Sequence, residues 1–169
     1  DILISGKNNI INSKLDEKYN FRGFTFVINK KGRVSYLKSI FGNNIFRFLI
    51  DIFTLNLNNY DLVISDFEPI SAWASKIKGK PSVQLSHQCS LFSNKSPRPK
   101  KIDYIAEFFI RWYGPCDKNI GFHFKKYDNH ILGPLLRDKI INAKPKEGDY
   151  YVVYLWNYSS DYIINILTN

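Results

Sequence analysis

The sequence predicts an α/β protein built on a doubly wound parallel sheet. The segment 61–65 is a continuous apolar run without polar–apolar alternation, as in strands of parallel sheets that are buried on both faces, and 82–86 is the next predicted strand. The segment between them, 70–77, has helical character and is followed by Gly79 and Pro81, which stop helices. A strand–helix–strand unit this short forms a right-handed crossover, so its two strands are expected to be parallel neighbours.

The composition is that of a globular protein and argues against several other classes. The chain has 169 residues, 44% of them hydrophobic, enough for one cored domain and part of a second. No apolar run reaches the roughly 18 residues of a membrane span. No P-loop and no GxGxxG motif occurs. The two cysteines form no CxxC pair and no metal-like spacing with the three histidines, so we expect free thiols and no metal or other cofactor.

The chain is strongly basic, with a net charge of +9 and an isoelectric point near 9.5. Such an excess favours nucleic acid, anionic lipid or phosphorylated partners. The most suggestive cluster is KSPRPKK at 95–101, shortly after His87. A non-catalytic module that binds a polyanion or a membrane surface is therefore one candidate function. Nucleic-acid readers usually add a recognisable motif, and because none occurs we expect no nucleic-acid partner.

The remaining elements follow from the spacing of apolar residues. Further strands are predicted where short apolar or alternating runs lie between turn residues, at 1–5, 23–28, 119–124 and 150–155, with a short extended piece at 130–136. Helices are predicted where apolar residues recur every three or four positions, at 35–55, 104–114 and from about 159 onward. Gly42 and two asparagines predict a break near residue 43.

Polar residues follow both strands of the crossover unit. The first strand ends in Ser65, Asp66 and Glu68, and the second in Ser86, His87 and Gln88. Neighbouring strand ends lie roughly 5 Å apart, and ligands of open parallel sheets bind beyond the carboxyl ends of the strands. A carboxylate or an imidazole there can act as a general base.

Less specific interpretations stay open beside this one. Asp66 or Glu68 can serve only to cap the helix that follows. His87 can be a hydrogen-bonded core histidine. Ser65 and Ser86 suit loop hydrogen bonds better than nucleophilic attack, since no GxSxG elbow surrounds either of them.

The other titratable side chains have weaker claims. His123 alternates with two phenylalanines on a predicted strand, so we expect it on the surface or between domains. His130 is expected in a linker. Cys89 lies two residues after His87, but adjacency in sequence is not the geometry that a Cys–His pair needs.

Three stretches resemble a known family. DLVISDFEPISAWASKIKGKPSVQLSHQ (61–88), SPRPKK and IGFHFKKYD are similar to the N-terminal half of two-domain GT-B glycosyltransferases. Within this type they resemble the UDP-glucuronosyltransferase-related and the cell-wall N-acetylglucosaminyltransferase-like enzymes. SDFEP (65–69) and SHQ (86–88) are the most specific parts, and the resemblance covers most of residues 1–158. It implies two Rossmann-like domains that face a cleft.

The resemblance also implies a domain organisation. Residues 1–137 would form the acceptor-binding domain without its first strand, 138–149 a linker, and 150–169 the truncated start of the nucleotide-sugar-binding domain. Family members usually begin with another strand and a Gly-His loop, whose histidine is often the candidate base, whereas this chain opens on Asp1. We therefore expect the polypeptide alone to be inactive and to bind no UDP-sugar.

The function implied by the resemblance is transfer of a sugar from a nucleotide-sugar donor, UDP-linked, to a hydroxyl acceptor in glycan, glycolipid or cell-envelope synthesis. Glu68 or Asp66 is the first candidate for acceptor contact or base assistance, and His87 is the second. The expected acceptor contacts are Ser65, Ser86, Gln88, Arg98, Lys100 and Lys101, the last three to a phosphate. The expected location is cytoplasmic, peripheral at the inner face of the membrane. A Rossmann-like hydrolase is a third candidate, weakened by the missing nucleophile motif.

Overall fold

The computed structural model describes residues 1–5, 17–29, 34–153 and 159–168. The strands in these residues are β1 (Ile2–Ser5), β2 (Glu17–Phe21), β3 (Val63–Ser65), β4 (Ser82–Ser86), β5 (Lys118–Phe122) and β6 (Ile131–Leu132). The helices are α1 (Tyr36–Phe41), α2 (Ile45–Thr54), α3 (Pro69–Ile77), α4 (Tyr104–Trp112), α5 (Asp138–Ile141) and α6 (Ser160–Thr168), with a 3-10 helix at His87–Phe92.

The larger sheet is four-stranded and parallel throughout, in the order β3-β4-β5-β6. Val63 lies opposite Ser82, and Ser65 lies opposite Gln84, so the two strands of the predicted crossover are parallel neighbours. The α/β class with a Rossmann-like parallel sheet is therefore confirmed.

Strands β1 and β2 form a second, two-stranded parallel sheet. The two ends of β1 contact residues at the matching ends of β3. The Tyr60 hydroxyl donates to the carboxylate of Asp1 before the strands begin, and the Ser5 hydroxyl donates to Glu68 Oε1 at 2.7 Å where they end. Strands β1 and β3 therefore run in the same direction, although they belong to separate sheets.

Helices α2 and α3 cover one side of β3. Ile52 of α2, Val63 of β3, and Ile70 and Ala74 of α3 form a buried cluster against which Leu3 of β1 packs. Burial of such side chains contributes about 1.5–3 kcal/mol each to folding. This core fixes the start of α3, and with it the turn that follows β3.

The opposite side of β3 is not covered as the apolar run predicted. Ile64 is 61% exposed, so the expectation that this strand is buried on both faces was wrong. The buried positions of β4 are Ser82, Gln84 and Ser86 rather than its apolar residues. Small and polar side chains on that face leave room for the 3-10 helix. An added Cβ on Gly121 of β5 would lie only 2.5 Å from the Ser90 nitrogen.

The chain forms two compact units, residues 1–24 with 44–135, and residues 25–43 with 136–169. The sheets, the core and the 3-10 helix belong to the first unit. The second unit includes α1, α5 and α6. No described helix is long and apolar enough to cross a bilayer.

The prediction of a strand at 23–28 was wrong. The nearby strand, β2, lies earlier in the chain, at Glu17–Phe21. The segment 23–28 pairs with other backbone only at the isolated bridge of Ile28 with Val34 and through the Ser35 N–H, which donates to the Val27 carbonyl at 2.8 Å. Other backbone groups of the segment bond to side chains. The Asn43 side chain accepts from the Thr25 N–H and donates to the Thr25 carbonyl, both at 2.9 Å. Ser39 Oγ accepts from the Val27 N–H at 2.8 Å. These bonds satisfy groups that a β-ladder would otherwise pair.

The predicted break near residue 43 is confirmed. Helix α1 ends at Gly42, and Asn44 caps α2 by accepting from the Arg47 N–H at 2.9 Å. The helices predicted at 70–77, at 104–114 and from about 159 are confirmed as α3, α4 and α6. In the strand predicted at 150–155, the described residues 150–153 form no strand, and the rest of it lies outside the described residues.

Candidate functional site

A strained turn carries the chain from β3 into α3. Phe67 has a positive φ of 49°, which a bulky residue rarely adopts. Ser65 closes the turn, because its hydroxyl accepts from the Glu68 N–H and donates to the Glu68 carbonyl, both at 3.1 Å. The Phe67 ring packs on Tyr113 at a centroid distance of 4.9 Å. The turn separates Asp66, which is exposed, from Glu68, which is directed onto the helix.

Glu68 is the N-cap of α3. Its Oε1 accepts from the Ile70 N–H at 2.8 Å, and its Oε2 accepts from the Ser71 N–H at 2.7 Å. Oε1 also accepts the bond from Ser5. The carboxylate therefore satisfies backbone donors that the helix leaves unpaired and ties β1 to the end of β3.

Asp66 lies between two cavities. One, the His87 cavity, has a volume of about 730 Å³, and its walls include Ile64, Asp66, Ser86, His87, Gln88 and His123. The other, the Ser5 cavity, has a volume of about 560 Å³, and its walls include Ser5, Tyr60, Ser65, Asp66 and Glu68. No described residue bonds to the Asp66 carboxylate, and burial by the cavity walls raises its pKa above the ordinary 3.8.

His87 begins the 3-10 helix that follows β4. Its Nδ1 lies 2.9 Å from the carbonyl oxygen of Phe122, at the end of β5. A carbonyl only accepts, so Nδ1 carries the proton in this bond, and in the neutral ring Nε2 keeps its lone pair. The ring is exposed and lines a cavity, so it is not the core histidine of the alternative interpretation.

His123 is the site residue that the sequence analysis missed. Its ring lies 6.0 Å from the His87 ring, with an interplanar angle of 17°. Its Nδ1 accepts from the Lys125 N–H at 3.1 Å, which leaves Nε2 as the nitrogen that carries hydrogen in the neutral ring. The alternation argument did not place it at the site, because β5 ends at Phe122 and strict alternation does not set the direction of residue 123. The parallel pairing of Ser86 with Gly121 was the usable signal, since it brings residues 87 and 123 to the same edge.

The predicted acceptor contacts near the strand ends divide into two kinds. Gln88 is half-buried in the wall of the His87 cavity. The two serines are buried, and their hydroxyls hold local structure. Ser65 closes the turn after β3, and Ser86 Oγ accepts from the Cys89 N–H at 3.3 Å.

Both cysteines are free thiols. Burial raises the pKa of Cys89 and raises that of Cys116 to about 11. A thiol that keeps its proton at neutral pH is a poor nucleophile. The alternative of a catalytic Cys89 therefore gains no support from its environment.

The predicted phosphate contacts lie away from both cavities. Arg98 pairs with Glu107 at 2.6 Å and donates to the Leu91 carbonyl. Lys100 and Lys101 are exposed, and none of the three lines either cavity. The expected convergence is also incomplete, since Asp66 and His87 share one cavity while Glu68 lines the other.

The sequence matches the model of a known protein family. The model described as Glycosyl transferase family 1 matches residues 7–169. The chain belongs to this family. Neither the curated proteins nor the solved structures include a significant match.

Glycosyl transferase family 1 is a family of the GT-B type, and its chemistry is glycosyl transfer. A glycosyltransferase uses a sugar donor and an acceptor. Among the described residues, Asp66 and His87 lie together in one open cavity. The described residues include no group of three or more His, Cys, Asp or Glu side chains arranged to hold a metal ion.

Proposed function

We propose that this chain supplies the acceptor-binding half of a glycosyltransferase that moves a sugar from a UDP-linked donor to an acceptor hydroxyl. The reaction we infer belongs to glycan, glycolipid or cell-envelope synthesis. We also infer a cytoplasmic enzyme that works at the inner face of the membrane. Residues 1–137 would bind the acceptor, and the segment from 150 onward would belong to the donor-binding domain.

One observation carries the proposal. The Asp66 carboxylate and the His87 imidazole line the same cavity, beyond the carboxyl ends of β3 and β4. His87 Nε2 can accept a proton because Nδ1 is committed to the Phe122 carbonyl. Asp66 has no bonding partner among the described residues, so its oxygens can accept from an acceptor hydroxyl.

The proposed step is a displacement at the anomeric carbon of the donor. His87 Nε2 takes the proton of the acceptor hydroxyl, whose oxygen forms the new bond to that carbon. The bond from the anomeric carbon to the diphosphate breaks, and UDP leaves with the electron pair. General-base assistance of this kind contributes roughly 10²–10⁴-fold in rate. Asp66 would orient the hydroxyl and stabilise the imidazolium that forms.

We assign Glu68 a positioning role. Both of its oxygens already accept hydrogen bonds, from two backbone donors of α3 and from Ser5. By capping α3 it fixes the turn that presents Asp66. Glu68 itself would contact an acceptor through the Ser5 cavity, which Glu68 and Asp66 both line.

The test is turnover, measured as UDP release from UDP-sugars with candidate acceptor glycans and glycolipids, in the full-length enzyme. His87→Gln and Asp66→Asn should each lower kcat by about 100-fold or more. Glu68→Gln keeps an accepting oxygen, so it should lower stability by no more than about 1 kcal/mol and should largely preserve kcat.

The matched control is His130→Gln, since this histidine lines neither cavity. It should turn over at the wild-type rate. Folded His87→Gln and Asp66→Asn variants that both keep near wild-type turnover would refute the proposed site. A 100-fold loss in Glu68→Gln would move the base assignment to that residue.

A further inference from the structure

Two imidazole rings lie side by side in the wall of the His87 cavity. His87 follows β4, His123 follows β5, and both side chains line this cavity. The ring centres are 6.0 Å apart, and the ring planes differ by only 17°. The proposed transfer step uses His87 and assigns nothing to His123.

The two rings have opposite hydrogen-bonding character. The Phe122 carbonyl oxygen lies 2.9 Å from His87 Nδ1 and only accepts, so Nδ1 carries the proton and Nε2 is left as an acceptor. The Lys125 N–H donates to His123 Nδ1 at 3.1 Å, so this nitrogen carries no proton and Nε2 is a donor. The cavity wall therefore combines an accepting and a donating ring nitrogen on neighbouring rings.

The main chain and a second ring hold His123 in place. The His123 N–H donates to the Leu132 carbonyl at 2.9 Å, which ties the residue to the end of β6. The Tyr127 ring packs against the imidazole with the ring centres 5.0 Å apart and the planes at 68°. A ligand that bonds to His123 therefore meets a ring whose direction the fold has already set, and little side-chain entropy remains to be lost on binding.

An exposed aromatic ring stands beside the histidine pair. Phe124 lines the same cavity and is 90% exposed, with its ring centre 6.4 Å from that of His123 and the two planes at 77°. Small-molecule sites combine apolar walls with a few placed polar groups. A sugar ring matches such a wall, because its C–H groups can contact the phenyl ring while its hydroxyls bond to the histidines.

A donor beside an acceptor matches two hydroxyl groups on neighbouring carbons. One hydroxyl donates to His87 Nε2, and its neighbour accepts from the Nε2–H of His123. A single tetrahedral oxygen bonded to both rings would hold its partners roughly 4.5 Å apart at ordinary hydrogen-bond lengths. The two nearly parallel rings are farther apart than this, so two oxygens fit the pair better than one.

We propose that His123 is a specificity-determining residue, which selects an acceptor sugar by the hydroxyl next to the one that reacts. The substrate class is a sugar with a vicinal diol at the position of transfer. A phenol or a simple alcohol has the reacting hydroxyl but lacks the second one. This assignment rests on the proposed function, because it takes His87 as the group that receives the proton of the reacting hydroxyl.

The test compares an accepted glycoside with the analogue in which hydrogen replaces the hydroxyl next to the reacting position. Turnover is measured as UDP release by the full-length enzyme. The wild type should lose about tenfold or more in kcat/KM with the deoxy analogue, because the His123 donor is then left without its partner. His123→Phe keeps a ring but has no donor, so it should lose about as much with the parent glycoside and should no longer distinguish the two acceptors.

Two further variants separate recognition from packing. His123→Gln keeps an amide N–H and should recover part of the discrimination. The matched control is His130→Phe, the same change at a histidine that lines neither cavity, and it should discriminate as the wild type does. A folded His123→Phe enzyme that still discriminates between the two acceptors like the wild type would overturn the proposal, whatever its absolute rate.

A binding measurement distinguishes failure of this proposal from failure of the proposed function. In protein that carries isotopically labelled histidine, the ring-nitrogen resonances of His87 and His123 report on each ring separately. Methyl glycosides should shift the Nε2 signals of both rings, and an analogue that lacks one hydroxyl of the diol should shift only one. Paired shifts would support the diol site even if His87→Gln kept its turnover, whereas glycosides that shift neither signal would refute it.

Discussion

Asp66 is held in a position that suits chemistry better than stability. Its carboxylate borders two cavities, has no described bonding partner, and has a pKa raised above 3.8 by burial. The residue beside it, Phe67, is strained at a φ of 49°. Strain and unpaired charge of this kind accumulate where a protein binds or reacts.

Asp66→Asn is therefore expected to stabilise the fold at neutral pH while it impairs transfer. A carboxyl with a raised folded pKa gains its proton more readily in the folded state, so its ionisation lowers stability as pH rises from 3.8 through the folded value. The gain should be below about 1 kcal/mol, since the side chain is open to solvent. Urea unfolding at pH 7 and below pH 3.8 measures it, and the difference should vanish at the lower pH.

Asp128 provides a control of opposite sign. Its pKa is lowered by the Asn129 N–H, the Ser93 hydroxyl and Lys95, so its ionised form contributes stability that is lost as pH falls through the folded value. Asp128→Asn should destabilise the fold at pH 7. If Asp66→Asn also lowered the unfolding midpoint at pH 7, the Asp66 carboxylate would be a stabilising element.

At the level of elements, the position of His87 depends on how closely the 3-10 helix approaches β5. A Cβ on Gly121 would meet the Ser90 nitrogen at 2.5 Å and the Ser90 Cα at 2.7 Å. These are backbone atoms of the helix that begins with His87, so the contact can be relieved only by moving that helix.

Gly121→Ala is expected to lower the free energy of unfolding by about 1–3 kcal/mol and to reduce transfer through displacement of His87. Thermal unfolding and turnover measure the two effects. Gly133→Ala is the matched control, because nothing lies within 4 Å of an added Cβ there. A Gly121→Ala protein as stable and active as the Gly133→Ala protein would contradict the close approach.

The elements that the sequence predicted are those with local signals at their ends. Pro69 and Gly79 bound α3, and the strands predicted on either side of it are parallel neighbours. The failures depend on residues distant in sequence. The 23–28 segment is no strand because Asn43 and Ser39 satisfy its backbone, and no pattern within the segment shows this.

The candidate site was predictable for the same reason, and only in part. Parallel pairing was enough to bring Asp66 and His87 to one edge. It did not reveal that Glu68 is occupied by backbone donors, or that β5 ends early enough to bring His123 beside His87. Both facts depend on local geometry at a strand end, where the alternation rule no longer applies.

At the scale of the whole molecule, the segment predicted as a linker contains the short helix α5 and then an exposed stretch at 143–150 without helix or strand. The chain has four glutamates, and only Glu147 lies in such a stretch. The others are Glu17 in β2, Glu68 at the cap of α3 and Glu107 in α4.

A glutamate-specific protease should therefore cut first after Glu147, since cleavage favours exposed backbone that is not held by hydrogen bonds. Intact-mass analysis of a short digest identifies the first product. Substitution of Glu147 by Gln should remove this early product and leave the later ones. First cleavage at Glu107 or Glu17 would show that the 143–150 stretch is better protected than a helix or a strand.

Because Asp66 lines both cavities, its charge couples ligand binding in one cavity to ligand binding in the other. A ligand in the His87 cavity that binds best to the ionised carboxylate lowers the proton affinity of Asp66, and a ligand in the Ser5 cavity meets the same changed charge. Binding on the two sides must then be reciprocal: each ligand alters the affinity of the other by the same factor. With an uncharged asparagine at this position, a ligand in one cavity would no longer change the affinity of the other cavity for its ligand through this charge.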